Sequence, residues 1–197
     1  MKKFLLIVFC ISIMLCMTTL ASAEESSITW FNTNKTITLT NNGDAAATAK
    51  QGKSDVKELQ YSVNGGSFAK YTAGFTLSAE GENTIIAKSI DNAGNETTST
   101  AKIYIDKTKP VLTTEGNPTQ WCKSATITAK AADALSGIKN ISNGTAYVTG
   151  DTITLEVNEL GDYTFTTTDN ANNQTSKTET VTKIDNLPPL APTININ

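Results

Sequence analysis

The chain has 197 residues, with 16 lysines against 19 acidic residues, no arginine, no histidine and a net charge of −3. A mildly acidic chain without arginine lacks the basic patch that phosphate neutralisation requires and the guanidinium forks that grip phosphate in pairs, which excludes nucleic acid as a partner. Without histidine, Ser–His and Cys–His nucleophile pairs and histidine-bound zinc are excluded as well.

At the N-terminus, Lys2-Lys3 precede an apolar run from Phe4 to Met17, and Ala21-Ser22-Ala23 stands before Glu24-Glu25. A basic start, a short apolar stretch and a small-x-small site describe a secretory signal peptide over residues 1–23, cleaved after Ala23. The alternative is a retained anchor, but the run is short for a membrane span, so no membrane insertion is expected after cleavage. Phe9 before Cys10 and Leu15 before Cys16 are not the small residues that precede an acylated cysteine. Cleavage leaves Cys122 as the one remaining cysteine, so hydrophobic packing rather than a disulfide must hold the modules. Beside Trp121, Cys122 reads as a small apolar filler, with a reactive thiol as the alternative.

Short alternating runs follow, bounded by Asn, Gly, Asp and Pro, and these predict strands joined by turns. Thr36 to Thr40 places Ile37 and Leu39 on one face, and Leu59, Tyr61 and Val63 do the same before Asn64-Gly65-Gly66, a hairpin signal because Asn and Gly tolerate positive φ. Phe75 to Leu77, Thr84 to Ile90 and Ala101 to Ile105 complete a first set of strands. A second set comprises Ala125, Ile127 and Ala129, then Ile138 to Ser142 before Asn143-Gly144, Ile153 to Val157, and Tyr163 to Phe165. Ala45-Ala46-Ala47, inside Gly43 to Lys50, is long enough for one helical turn and too short to stand alone.

The two sets are tandem repeats. Asp91-Asn92-Ala93-Gly94-Asn95 recurs as Asp169-Asn170-Ala171-Asn172-Asn173, and Ile105-Asp106 with Pro110 recurs at almost the same offset as Ile184-Asp185 with Pro189. About seven short strands in about eighty residues fit an immunoglobulin-like β-sandwich. The expected organisation is a signal peptide at 1–23, one sandwich at 24–109, a second at 110–186, and a Pro-containing tail or the start of a further repeat at 187–197. Leu187-Pro188-Pro189-Leu190 is not followed by an apolar segment and basic tail of the sortase-anchor kind.

Tyr61-Ser62-Val63-Asn64-Gly65-Gly66, then Phe68, Tyr71, Glu80-Gly81 and Asp91 to Asn95, resemble the bacterial immunoglobulin-like repeat domains of surface proteins, adhesins and accessory regions of secreted enzymes. The resemblance covers nearly all of the first module and is looser in the second, where Asn172 replaces the glycine. It implies a fold and leaves the function open, since one fold hosts many tasks.

The acid-and-amide turn has two readings. Asp91, Asn92 and Asn95, with Asp106 at the module junction, carry the oxygen ligands calcium prefers. The same residues build ordinary turns, with Asp91 accepting backbone N–H groups and Gly94 supplying positive φ, and this is the reading adopted: no metal, no cofactor and no catalytic residue is expected. A carboxylate pair of the glycosidase kind needs no histidine, yet a module of this size offers no deep cleft. A Lys–Asn isopeptide bond lacks evident core motifs. Trp30 and Trp121 occupy comparable places near the module starts, where packing is expected and sugar stacking is the alternative. The expected protein is a non-catalytic, secreted or cell-surface bacterial repeat protein, monomeric, acting as a spacer or adhesion module toward an extracellular protein or glycan. The alternative is a carbohydrate- or matrix-binding accessory module of a larger secreted enzyme or adhesin.

Overall fold

The computed structural model describes residues 28–44 and 51–194. The expected signal peptide, the Ala45-Ala46-Ala47 turn and residues 195–197 lie outside the described residues. Fourteen strands and no helix are found among the described residues, and none offers a helix long and apolar enough to cross a membrane. The chain divides into two compact units at Ile105/Asp106, with Trp30–Asn32 grouped with the second. The fold is all-β, an immunoglobulin-like sandwich architecture.

In the first unit, β2 (Lys35–Ile37) pairs antiparallel with β5 (Phe75–Leu77), Thr36 opposite Thr76. The larger sheet sets β7 (Glu96–Ile105), β6 (Gly81–Asp91), β3 (Val56–Val63) and β4 (Ala69–Lys70) side by side in that order. Ile37 and Leu77 from the short sheet meet Ile85 and Ile105 from the long one, with Leu39, Val63, Phe75 and Ile103 packed around them. The hairpin between β3 and β4 turns at Asn64 (φ 51°) and Gly65 (φ 75°), as its residues predict. Buried Asn83 closes the corner before β6: its Nδ2 donates to Ala79 O at 2.8 Å, and its Oδ1 accepts from Asn64 Nδ2 at 3.2 Å.

The second unit is a complete two-layer sandwich. One sheet runs β12 (Thr152–Val157), β9 (Ala125–Ala132), β8 (Val111–Glu115); the other runs β11 (Tyr147–Val148), β10 (Ile138–Ser142), β13 (Gly161–Asp169), β14 (Gln174–Val181). The register sets Ile153 opposite Ala129 and Leu155 opposite Ile127, so alternating apolar residues of neighbouring strands share a face. Leu112, Ile127, Ala129, Ile153 and Val157 of the first sheet pack on Ile141, Phe165 and Val181 of the second. On the solvent face of β13 and β14, Thr164 pairs with Thr178 at 2.8 Å and Thr166 with Ser176 at 3.0 Å. The abundant threonine therefore serves the sheet twice, through its branched Cβ and through cross-strand hydroxyl contacts. Tyr163 donates its hydroxyl to Glu159 O at 3.0 Å, the tyrosine corner of immunoglobulin-like sandwiches. In the first unit Asn83 spans the same four residues to Ala79.

Strand β1 (Trp30–Phe31) enters the second unit through its carbonyl: Asp106 N–H donates to Phe31 O at 2.9 Å. Further along, Asp185 N–H donates to Cys122 O at 2.8 Å, and Cys122 bridges Ile184 in parallel. The two bonds are one joint used twice, with Asp106 and Asp185 as equivalent donors.

Two substitutions test the second core. Phe165 has 0 % exposure, and Phe165→Ala is expected to cost about 3–5 kcal/mol in urea unfolding of the full chain. Gly116 holds φ +92°, and a Cβ there would collide with Thr126 O; Gly116→Ala is expected to cost about 2 kcal/mol in the same measurement, through strain and overlap together.

Candidate functional site

Each repeat carries one turn built the same way. Asn95 N–H donates to Asp91 Oδ1 at 2.8 Å and Asn95 Nδ2 to Asp91 Oδ2 at 2.7 Å. Asn173 makes both bonds to Asp169, each at 2.8 Å. The fourth residue adopts positive φ, 91° at Gly94 and 69° at Asn172, and asparagine is the side-chain-bearing residue best suited to that region. Asn92 donates Nδ2 to Ser54 O and its N–H to Asp55 O; Asn170 does the same to Ser136 O and Gly137 O. Ser54-Asp55 and Ser136-Gly137 are thus structural counterparts. The Asn95 amide, followed by its own backbone N–H and the Ser54 hydroxyl, holds the Asp91 carboxyl below its ordinary pKa.

The second unit gathers more acid than the first turn has. Asp106, from the segment before β8, Asp133, from the loop after β9, and Asp169, at the end of β13, bring one carboxylate oxygen each to within 4.8 Å of one another. The sequence places Asp106 with Asp91, Asn92 and Asn95; those three belong to the first unit, and Asp106 joins Asp133 and Asp169 in the second. No local motif announces this grouping, because the three positions lie far apart along the chain. The available signal is the repeat, which makes Asp169 the partner of Asp91.

Of the two tryptophans, Trp121 departs from the expected packing. Trp121 is 62 % exposed, with Lys183 Nζ 5.0 Å from its ring centroid, while Trp30 is half-buried. Inward packing falls instead to the next residue, Cys122, which packs against the core and bonds Lys183 O through both its N–H and its thiol. Alternation along an extended segment turns the indole outward when its neighbour faces in. Other exposed apolar groups include Tyr147 and Leu160.

The Thr180 hydroxyl, which donates to the Asp162 carboxylate at 2.7 Å, joins neighbouring strands at the exposed surface. A cavity of about 1100 Å³ in the first unit has Leu59, Ile85, Ala87 and Ala101 in its lining; Ile85 is a core residue, so this cavity is the open margin of the core. The Lys–Asn contact from Lys139 Nζ to Asn172 Oδ1, 2.8 Å long, is exposed, unlike the buried geometry an isopeptide bond requires.

No protein-family model matches the chain, and no curated protein matches it. Among solved structures, the fibronectin(III)-like modules of Clostridium thermocellum CbhA are similar at a TM-score of 0.37 and 14% identity, over 78% of this chain and 89% of that one. The Bacteroides ovatus SGBP-B of a mixed-linkage glucan utilization locus, solved with a mixed-linkage heptasaccharide, is similar at a TM-score of 0.29 and 13% identity, over 84% of this chain and 46% of that one. At these scores the likeness is general and says nothing of a shared site.

Glu179 links the two sheets of the second unit. Thr114 Oγ1 and Asn117 Nδ2 donate to its carboxylate, Lys177 lies 3.3 Å away, and these contacts, Thr114 first, hold its pKa below the ordinary value. A carboxyl lowered in the folded state stabilises fully above its unfolded pKa, about 4.3, and loses that contribution as pH falls through the lower folded value. Glu179→Gln should therefore flatten the fall of melting temperature below about pH 4, read by thermal denaturation across pH 2–7.

Proposed function

We propose that the chain is an exported, non-catalytic protein of the bacterial immunoglobulin-like repeat family whose second unit presents Trp121 as a stacking platform for a sugar ring. The carrying observation is the 62 % exposure of that indole. A large aromatic left in water forgoes the burial that normally justifies it, and its face suits the C–H groups of a pyranose. Lys183 over the ring restrains it by cation–π attraction. A fixed platform loses less entropy on binding than a free one. Absence of histidine supports a binding role over a hydrolytic one. Export rests on the N-terminal sequence, and the partner is an extracellular glycan met by a monomer.

A spacer or adhesion role is the second reading, and one observation favours it. The segment joining the repeats is fastened into the second unit, with Asn173 Nδ2 donating to Asp106 O and Thr108 O, and Thr175 Oγ1 to Pro110 O. A fastened segment leaves little free chain between modules.

A glycan and matrix-protein array run on the mature chain separates the two. Glycan binding that falls about tenfold or more in Trp121→Ala, with melting temperature within about 2 °C of wild type because the side chain is exposed, supports the platform. Binding untouched by that change rejects it, and a flat array leaves the spacer role.

A further inference from the structure

The geometry points to a calcium site in the second unit, formed by the carboxylates of Asp106, Asp133 and Asp169 with the hydroxyl of Ser136. Asp106 and Asp169 have 0 % exposure, and no described ion pair includes any of the three acids. Their hydrogen-bond donors are neutral amides. Thr108 N–H is on Asp106 Oδ1 at 3.1 Å and Ser136 N–H on Asp106 Oδ2 at 3.0 Å. Leu135 and Gly137 N–H are on Asp133 Oδ1 at 3.1 and 2.8 Å, and Asn173 serves both oxygens of Asp169. Such donors orient carboxylates, as the outer shell of a metal site does, but they leave the charge uncompensated. Two buried carboxylates and a third half-buried one at this spacing suit a cation held among them.

Ser136 supplies the independent sign. Its Oγ is the one buried side-chain polar atom without a hydrogen-bond partner among the described residues, in a residue 8 % exposed. Buried hydroxyls are seldom left unpaired. The backbone of the same residue is fastened to the group, its N–H donating to Asp106 Oδ2 at 3.0 Å, which sets the unpaired hydroxyl next to these acids.

The chemistry selects the ion. The three carboxylate oxygens, within 4.8 Å of one another, can share one sphere with metal–oxygen distances of about 2.4 Å, the calcium value, and an irregular set of this kind suits calcium better than magnesium, which requires a stricter octahedron at about 2.1 Å. An all-oxygen set is a poor zinc site. An ion here would tie together the segment before β8, the loop after β9 and the turn after β13, and so stiffen one end of the sandwich.

The test is titration of calcium chloride into the full chain stripped with EDTA, read by calorimetry and by thermal melting. Binding is expected, with melting of the second unit raised by roughly 10 °C at a hundredfold excess over Kd. Asp133→Asn keeps an oxygen for Leu135 and Gly137 and should fold in EDTA, while weakening calcium binding at least about tenfold. Absence of binding heat and of any melting shift in the wild type overturns the site, whatever the variant does. Undiminished calcium binding by a folded Asp133→Asn overturns the ligand assignment, and an equal shift with magnesium chloride overturns the choice of ion.

Discussion

The architecture of the second unit depends on how one buried carboxylate is satisfied. Asp169 ends β13 inside the protein, where unpaired lone pairs are costly. Asn173 meets both of its oxygens and, with the same amide, holds the carbonyls of Asp106 and Thr108. Two amide hydrogens thus serve three acceptors. A turn between neighbouring strands becomes a clasp on a segment distant in sequence, and the acidic group exists because that clasp delivers Asp106 to it.

Comparison of the two repeats separates what the fold requires from what it tolerates. The Asp-to-Asn bonds and the donations from Asn92 and Asn170 recur with nearly the same lengths. The tyrosine corner does not: Tyr163 fills it in one unit and Asn83 in the other. A corner needs a donor that reaches back four residues, and either side chain has one. Gly94 and Asn172 are interchangeable for a similar reason, since only a positive φ is demanded.

Strands with apolar alternation were legible from residues alone. Ile153 to Val157 and Ile138 to Ser142 stand where the pattern puts them, and Asn64-Gly65 turns as its chemistry requires. Strand β14 was not, because Gln174 to Val181 is mostly polar and exposed, and its strand character comes from pairing with β13. For the same reason β7 extends back to Glu96, beyond the apolar stretch that begins at Ala101. Trp121 went the opposite way from expectation because its neighbour took the inward position. The grouping of Asp106, Asp133 and Asp169 was beyond sequence alone: each acid is ordinary in its own segment, and only the three-dimensional return of the chain makes them neighbours.

The joint between the repeats carries a lesson in modular accounting. Asp106 follows Ile105, the last residue of β7, and so closes the first repeat by sequence, yet its side chain works in the second unit, on Ser136. Asp185 begins the same pattern again, accepting Leu187 N–H as Asp106 accepts Thr108 N–H. The repeat read along the chain and the unit that packs in space are therefore out of phase by a few residues. A fragment cut at Pro110 would leave behind an aspartate that its interior uses, so the second module borrows its first acid from the tail of the first.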